Sequence, residues 1–181
     1  MNTVKELVIK NRSYRGYNEA RKVSREELLD MIDCGRLSAS SRNVQPLKYY
    51  FANEWEKTEA ILACTGWAKN LPDIHLPFPG THPTAFIVIL LDHDINDQAA
   101  KYQTDIGISA QSILLSAVEK GLGGIMIKSF QPSELKKIMG TPENLQPLLV
   151  LAIGEPAGRL PTTAPRMACT MCRSAAWRTS S

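Results

Sequence analysis

The sequence of 181 residues lacks any long hydrophobic run, and this absence argues against several classes of protein. Its longest apolar stretch, Ala85 to Leu91, has the length of a strand and is far shorter than the ~18 apolar residues of a membrane-spanning helix. The N-terminal segment also lacks the apolar centre that a signal peptide needs. We therefore expect a cytoplasmic protein.

The chain likewise lacks a strong charge of either sign. It has 21 Lys and Arg against 18 Asp and Glu, so its formal net charge is only +3, and the charges are interspersed. This balance predicts no nucleic-acid partner. The 44% of hydrophobic residues is enough for a real core, and the length fits one domain or one subunit of a compact dimer.

Cysteines are few, and they fall into two pairs of different character. Cys34 and Cys64 lie in apolar helical patterns, which predicts reduced core residues. Cys169 and Cys172 form a Cys-x-x-Cys near the end of the chain. Without a second such pair, this motif cannot complete a four-ligand zinc site within the chain.

Helical and strand patterns alternate along the chain without internal repeats. We expect helices at 3–10, 55–64, 98–120 and 132–139, and strands at 48–52, 86–91, 125–128 and 148–154. A further helix begins at the capping box Ser24 to Glu27, with Leu28, Leu29, Ile32 and Leu37 on its apolar side. The segment 65–84, rich in Pro and Gly, reads as a long loop. This order predicts an α+β sandwich with one sheet covered by helices.

Two polar segments carry candidate binding residues. Arg12-Ser13-Tyr14-Arg15 follows the first helix, and arginine is the side chain best suited to phosphate, although a solvated basic turn has the same sequence. The segment Ser40 to Pro46 holds the amides of Asn43 and Gln45, each of which offers a donor and an acceptor. The alternative for this second segment is a polar turn that caps the next element.

The glycines Gly121, Gly123 and Gly124 follow the longest helix. They do not form the Gly-x-Gly-x-x-Gly of a dinucleotide-binding fold, which follows a strand and opens a helix. They either end the helix or allow the backbone to approach a flat ligand closely.

The order of these segments resembles the nitroreductase family. Arg-Ser-x-Arg comes first, then Ser-x-x-Asn-x-Gln-Pro, then a long helix that runs into Gly-Leu-Gly, and the resemblance extends to about Gly158. Members of this family are homodimers, with a central, mostly antiparallel sheet flanked by helices and with FMN at the subunit interface. The resemblance therefore implies an FMN-dependent, homodimeric enzyme with a single domain at 1–165.

The resemblance also assigns roles by position. Arg12, Ser13 and Arg15 would hold the FMN phosphate and ribityl chain, and Asn11 stands where many relatives have a second Arg. Ser40, Asn43 and Gln45 would meet the ribityl chain and ring, and the Gly123-Gly124 backbone would lie near the reactive edge of the ring. His75 or His82 could face the acceptor, and Trp67 and Phe78 could form an aromatic lid.

The implied reaction is a ping-pong transfer of hydride from NAD(P)H through FMN to an organic acceptor such as a nitroaromatic or quinone. The cofactor carries this chemistry, so no catalytic side chain and no metal are expected. Two alternatives stay open at this point. One is a flavin-binding or sensor protein without efficient turnover, and the other is a flavin enzyme of different reaction, such as reductive dehalogenation.

The segment 166–181 differs from the rest of the chain, since it has no apolar periodicity and no acidic residue. A thiol redox motif, half of a zinc site and a disordered tail are possible interpretations. We favour a frameshift, because synonymous codons for the tail, read one nucleotide earlier, spell Gly-Met-His-Tyr-Val-Pro-Lys-Arg-Ser-Leu-Glu-Asp-Ile-Ile. In relatives of this family, such a Lys-Arg pair helps to bind the FMN phosphate. We expect the chain as written to hold FMN less firmly and to form a looser dimer.

Overall fold

Two apolar segments form the central strands of the sheet. β2 (Ala85–Asp92) and β4 (Leu145–Gly154) pair antiparallel, and from Ala85 to Leu91 every residue of β2 is buried. A strand buried in this way must be covered on both faces. The alternation of its side chains divides the core into two layers.

The computed structural model describes residues 2–67 and 75–157. In this part of the chain, β1 (Leu47–Ala52) joins β2 and β3 (Gly123–Ile127) joins β4, which gives the antiparallel order β1-β2-β4-β3. The α-helices are α1 (Val4–Lys10), α2 (Arg25–Arg36), α3 (Trp55–Ala63), α4 (Gln103–Glu119) and α5 (Pro132–Met139). No helix in the described ranges is long and apolar enough to cross a membrane.

The helices cover the two faces of the sheet. Leu28 of α2 and Ile113 of α4 pack with Ile87 and Ile89 of β2 on one face. On the other face, α3 and α5 pack against the residues of β2 that point the opposite way, such as Phe86 and Val88. The predicted α+β sandwich, with helices around one antiparallel sheet, is confirmed.

The predicted start of α2 is confirmed in detail. Ser24 Oγ accepts a hydrogen bond from the Glu27 N–H at 3.2 Å, and Glu27 Oε2 accepts one from the Ser24 N–H at 2.9 Å. Each side chain therefore satisfies a backbone donor that a helix N-terminus leaves unpaired. Helix α5 begins at Pro132 as predicted, and Gln131 is its N-cap residue.

Several predictions about side chains and boundaries were wrong. Leu29 and Leu37 are 45% and 68% exposed, because the inward stripe of α2 runs through Leu28, Met31 and Gly35. The long helix is preceded by a separate 3-10 turn, Ala99–Tyr102, so α4 itself begins only at Gln103. Cys64 is buried as predicted, whereas Cys34 is only half-buried.

Strand β3 begins at Gly123 rather than at Ile125, because Gly123 pairs with Gly154. The Cys-x-x-Cys of Cys169 and Cys172 and the whole segment 166–181 lie outside the described residues, so the frameshift stays a hypothesis. The assignment of 1–165 to one domain stays a prediction.

Candidate functional site

Arg12 and Ser13 line a cavity of about 310 Å³, which we call the Arg12 cavity. Its wall also includes Gly124 and Met126 of β3 and Gln111 of α4. The cavity thus combines a cation, a hydroxyl, an amide and an apolar surface.

The segment 11–15 is fixed to the sheet by its own backbone. Ser13 forms an isolated parallel bridge with Gly124, and the Tyr14 N–H donates to the Gly124 carbonyl at 3.2 Å. The Tyr14 hydroxyl donates to the carbonyl of Lys10 at 2.8 Å, which ties the segment back to the last turn of α1. The position of Arg12 beside β3 is therefore set by main-chain contacts.

The two arginines of this segment are bonded to neutral acceptors. Arg12 Nη1 donates to the carbonyls of Val8 at 3.1 Å and Asn11 at 2.7 Å, and Arg15 Nη1 donates to the carbonyl of Ser13 at 3.2 Å. Among the described residues, neither guanidinium forms a salt bridge. Their positive charge is left for an anion, and guanidinium is the group that best matches phosphate.

The glycines near this cavity are required by the packing of the chain itself. Gly121, with φ +75°, ends α4, which agrees with one of the two interpretations of the sequence. A Cβ at Gly123 would lie 2.5 Å from Cε2 of the Tyr14 ring and closer still to Cδ2. One at Gly124 would lie 2.5 Å from the carbonyl oxygen of Ala152. Gly124 lines the Arg12 cavity, whereas the Tyr14 ring covers Gly123.

Ser40 and Gln45 line a second cavity of about 360 Å³, which we call the Ser40 cavity. Tyr49 of β1 and Asp105 and Ser109 of α4 line it as well. The Tyr49 hydroxyl and Ser109 Oγ are 2.9 Å apart. Burial raises the pKa of Tyr49, so this phenol stays protonated at neutral pH.

The loop that contributes Ser40 has an unusual backbone. Arg42, Asn43 and Gln45 have φ values of 53°, 55° and 54°, in the left-handed region. This conformation costs an L-residue roughly 1–2 kcal/mol, somewhat less for Asn, so other contacts must hold it. Strained backbone conformations of this kind are concentrated at binding sites, where the surrounding contacts hold a fixed geometry.

The amides of Asn43 and Gln45 orient each other. Gln45 Nε2 donates to Asn43 Oδ1 at 2.8 Å. This bond leaves Asn43 Nδ2 as a donor and Gln45 Oε1 as an acceptor, and neither has a further hydrogen bond within the described ranges. A paired donor and acceptor suit a ligand edge on which N–H and C=O groups alternate.

The predicted site residues therefore fall into two groups. The Arg12 and Ser40 cavities share no lining residue, and they use different residues of α4. Arg15, Asn43 and Gly123 line neither cavity. Arg15 and Asn43 are hydrogen-bonded to the lining residues Ser13 and Gln45, and Gly123 precedes Gly124 in the chain. A single copy of the chain, in the part that the structure describes, does not unite the two predicted groups of site residues.

Sequence reasoning missed Asp105, Tyr49 and Ser109. A signal for Asp105 was present, because it is the one charged residue between Gln103 and Val118. A carboxylate in such a helix is rarely buried without a partner. Here it is 5% exposed and bonded to the loop at Ser40 and Ser41.

The aromatic and histidine residues of the predicted lid lie away from both cavities. His82 contacts two residues of α3, Glu59 and Trp55. Its Nδ1 is 2.9 Å from Glu59 Oε1, and its ring stacks with the Trp55 ring at a centroid distance of 6.4 Å. Trp67 packs against the core on the side of α3 and α5, Phe78 is half-buried, and His75 is exposed. None of the four lines either cavity.

Comparisons with known proteins agree on one family. The model described as "Nitroreductase family" matches residues 8–155. A NADPH-flavin oxidoreductase of Vibrio harveyi is 24% identical over 92% of this chain and 71% of its own length. An FMN reductase [NAD(P)H] of Bacillus subtilis is 27% identical over 88% of this chain and 68% of its own. A nitroreductase family protein from Clostridium novyi has the same fold, with TM-score 0.71, 21% identity and 86% of each chain covered.

Proposed function

The chain belongs to the nitroreductase family, and on that premise we propose that it is an FMN-dependent oxidoreductase that uses NAD(P)H to reduce an organic acceptor. The names of the Vibrio harveyi and Bacillus subtilis relatives favour flavin and NAD(P)H as its cofactor and co-substrate. For the acceptor we propose a nitroaromatic, a quinone or a similar conjugated compound. The predicted cytoplasmic location stays a prediction.

The Arg12–Arg15 segment, part of which lines the Arg12 cavity, fits the phosphate end of FMN. Arg12 and Arg15 carry positive charge that only neutral carbonyls contact among the described residues. Ser13 adds a short hydroxyl donor, and the carbonyl of Gly124 fixes this segment beside β3. This uncompensated positive charge is the observation that carries the proposal.

The residues of the Ser40 loop fit the polar edge of a flavin. The free donor of Asn43 and the free acceptor of Gln45 complement alternating C=O and N–H groups. When bound, FMN supplies the redox chemistry, since it takes hydride from NAD(P)H and passes reducing equivalents to the acceptor. The role of the protein is to hold the cofactor and to shield it from water.

We further propose that the site forms between two copies of the chain. The outer positions of α4 from Thr104 to Leu115 carry no charge, and Ile108 among them is 41% exposed. Helix α1 packs on α4 but buries none of its residues, and Val4 and Ile9 are 72% and 54% exposed. A seven-residue helix without buried residues is marginal by itself, so a partner surface that covers it would stabilise it.

A dimer through this face also suits the two separate cavities. Each has a volume near the lower limit of ~300 Å³ for ligand pockets. If the Arg12 cavity of one subunit meets the Ser40 cavity of its partner, both predicted groups contact one cofactor. We propose this arrangement for FMN.

The test begins with FMN titration of the cofactor-free protein, followed by addition of NADPH or NADH without oxygen. Bound flavin that bleaches within seconds supports the oxidoreductase, whereas flavin that stays oxidised indicates a passive binder. Arg12→Gln should raise the dissociation constant for FMN about tenfold to a hundredfold, since bonds to charged groups contribute ~1.5–3 kcal/mol.

The matched control is Lys137→Gln. Lys137 is an exposed cation on α5 that pairs with Glu134 at 2.8 Å, and it lines neither cavity. Lys137→Gln removes one positive charge, as Arg12→Gln does, but outside both cavities, so the affinity for FMN should not change. Equal losses in both variants, or no flavin binding by the wild-type chain, would contradict the proposed function.

A further inference from the structure

We propose that Asp105 is a positioning residue that holds the Ser40–Gln45 loop in its flavin-binding conformation, an inference that rests on the proposed FMN function. Asp105 lies in the first turn of α4, and it is only 5% exposed. Asp105 lines the Ser40 cavity, but it is not one of the residues predicted to contact the cofactor.

One oxygen of Asp105 holds both residues at the start of the loop. Oδ2 accepts a hydrogen bond from Ser40 Oγ at 2.9 Å and another from the Ser41 N–H at 2.8 Å. Because a carboxylate only accepts hydrogen bonds, these contacts orient the Ser40 hydroxyl with its proton toward Asp105. The lone pairs of Ser40 Oγ then remain available to another donor.

That donor is the backbone of Gln45, at the other end of the loop. The Gln45 N–H donates to Ser40 Oγ at 3.1 Å. A continuous chain of hydrogen bonds therefore runs from Asp105 through Ser40 to Gln45. It closes the loop across Arg42 and Asn43, which have positive φ values.

The strain of the loop explains why such an anchor is needed. Three residues without glycine's freedom adopt the left-handed conformation, so the segment would relax if the chain of bonds broke. Relaxation would separate the amides of Asn43 and Gln45, which are joined by a side-chain bond of 2.8 Å. Asp105 therefore sets the spacing of a donor and an acceptor that it does not touch.

The experiment compares Asp105→Ala and Asp105→Asn in two assays. In the FMN-free protein, amide hydrogen exchange by NMR reports the Ser41 and Gln45 N–H groups directly. FMN titration then reports the consequence for binding. We expect Asp105→Ala to speed exchange at Ser41 and Gln45 and to raise the FMN dissociation constant about tenfold or more, as loss of bonds to a charged group predicts.

Two further variants separate positioning from general damage. Asp105→Asn keeps an oxygen that can accept both bonds, so it should restore most of the slow exchange and the affinity. Ser116→Ala changes another buried polar residue of α4, whose hydroxyl has no partner among the described residues. It should leave exchange at Gln45 and FMN affinity unchanged.

The outcomes are distinct. Unchanged exchange at Gln45 in Asp105→Ala, or FMN affinity equal to that of the wild type, would overturn the inference. If Asp105→Ala does not fold, Ser40→Ala decides, because it cuts the link to Gln45 and keeps the bond from Ser41 to Asp105. Slow exchange at Gln45 in that variant also overturns the inference. Failure of the wild-type chain to bind FMN would contradict the proposed function alone, since the exchange comparison uses no cofactor.

Discussion

Replacing Gly123 by alanine tests how the Arg12–Arg15 segment is fixed to the sheet. A Cβ at this position would lie 2.5 Å from Cε2 of Tyr14 and 3.0 Å from Cγ of Pro156. Carbon atoms in contact prefer ~3.5–4.0 Å, so the ring would have to retreat by about 1 Å. Tyr14 is held at both ends, by its N–H on Gly124 and by its hydroxyl on Lys10, and it cannot move without disturbing these bonds.

The expected loss of stability follows from this geometry. Overpacking typically costs ~1–3 kcal/mol, and a weakened hydrogen bond adds about 1 kcal/mol. This loss is offset by roughly 0.5–1 kcal/mol, because alanine loses less backbone entropy than glycine on folding. We therefore expect Gly123→Ala to lower the free energy of unfolding by about 2 kcal/mol, which in a chain of this size lowers Tm by roughly 4–8 °C.

Thermal unfolding of the FMN-free protein measures this effect, and a double variant identifies its cause. Tyr14→Ala removes the obstructing ring, so the pair should lose about 1–2 kcal/mol less than the sum of the single variants. Gly124→Ala is the control, because its Cβ would meet the backbone oxygen of Ala152, and Tyr14→Ala cannot relieve that contact. An unchanged Tm for Gly123→Ala, or fully additive losses in the double variant, would refute the reasoning.

Three further outcomes are expected. Ile108→Asp should convert the proposed dimer to a monomer, whereas Ile95→Asp, at an equally exposed position, should not; light scattering after size exclusion measures both, and a monomeric wild type would contradict the proposal. The Arg21 guanidinium lowers the pKa of Glu27, so their ion pair stabilises the fold at neutral pH and is lost as the pH falls through the lowered pKa. Glu27→Gln should therefore cost up to about 1 kcal/mol at pH 7 and nothing once the pH is well below the lowered pKa, and a difference that persists in acid would refute this account. Replacing 167–181 by the peptide of the alternative frame should tighten FMN binding and increase its dependence on salt, because its adjacent Lys and Arg would contact the phosphate as the resemblance implies; equal affinity for both chains would argue against the frameshift.

The features that the sequence predicted well depend on residues close together in the chain. The capping box of Ser24 and Glu27 spans three residues, and its bonds form as expected. The run from Ala85 to Leu91 is uniformly apolar and is buried on both faces, as a central strand requires. Local pattern and local energetics agree at these positions, which is why they were predictable.

The features that the sequence did not predict depend on contacts between distant residues. Leu29 follows Leu28 in the chain, yet one is exposed and the other buried, because the position of α4 decides which side of α2 faces inward. Asp105 bonds to Ser40 across 65 positions, and no local pattern relates them. The close contact between Gly123 and the Tyr14 ring likewise joins distant residues, and it accounts for the lack of a side chain there; the predicted role of Gly123 near the cofactor stays a prediction.

The division of the candidate site bears on the size of the functional unit. The Arg12 segment and the Ser40 loop both belong to the sequence pattern that resembles the nitroreductase family, but in the described fold they line cavities without a common residue. Helix α4 contributes Gln111 to the first cavity and Asp105 to the second, and Ile108, one of its uncharged outer positions, lies between them in the sequence. A second copy of the chain packed on those positions would border both cavities, so cofactor binding and subunit association would stabilise each other. On this reasoning, dilution that separates the subunits should also release FMN, and added FMN should strengthen the dimer.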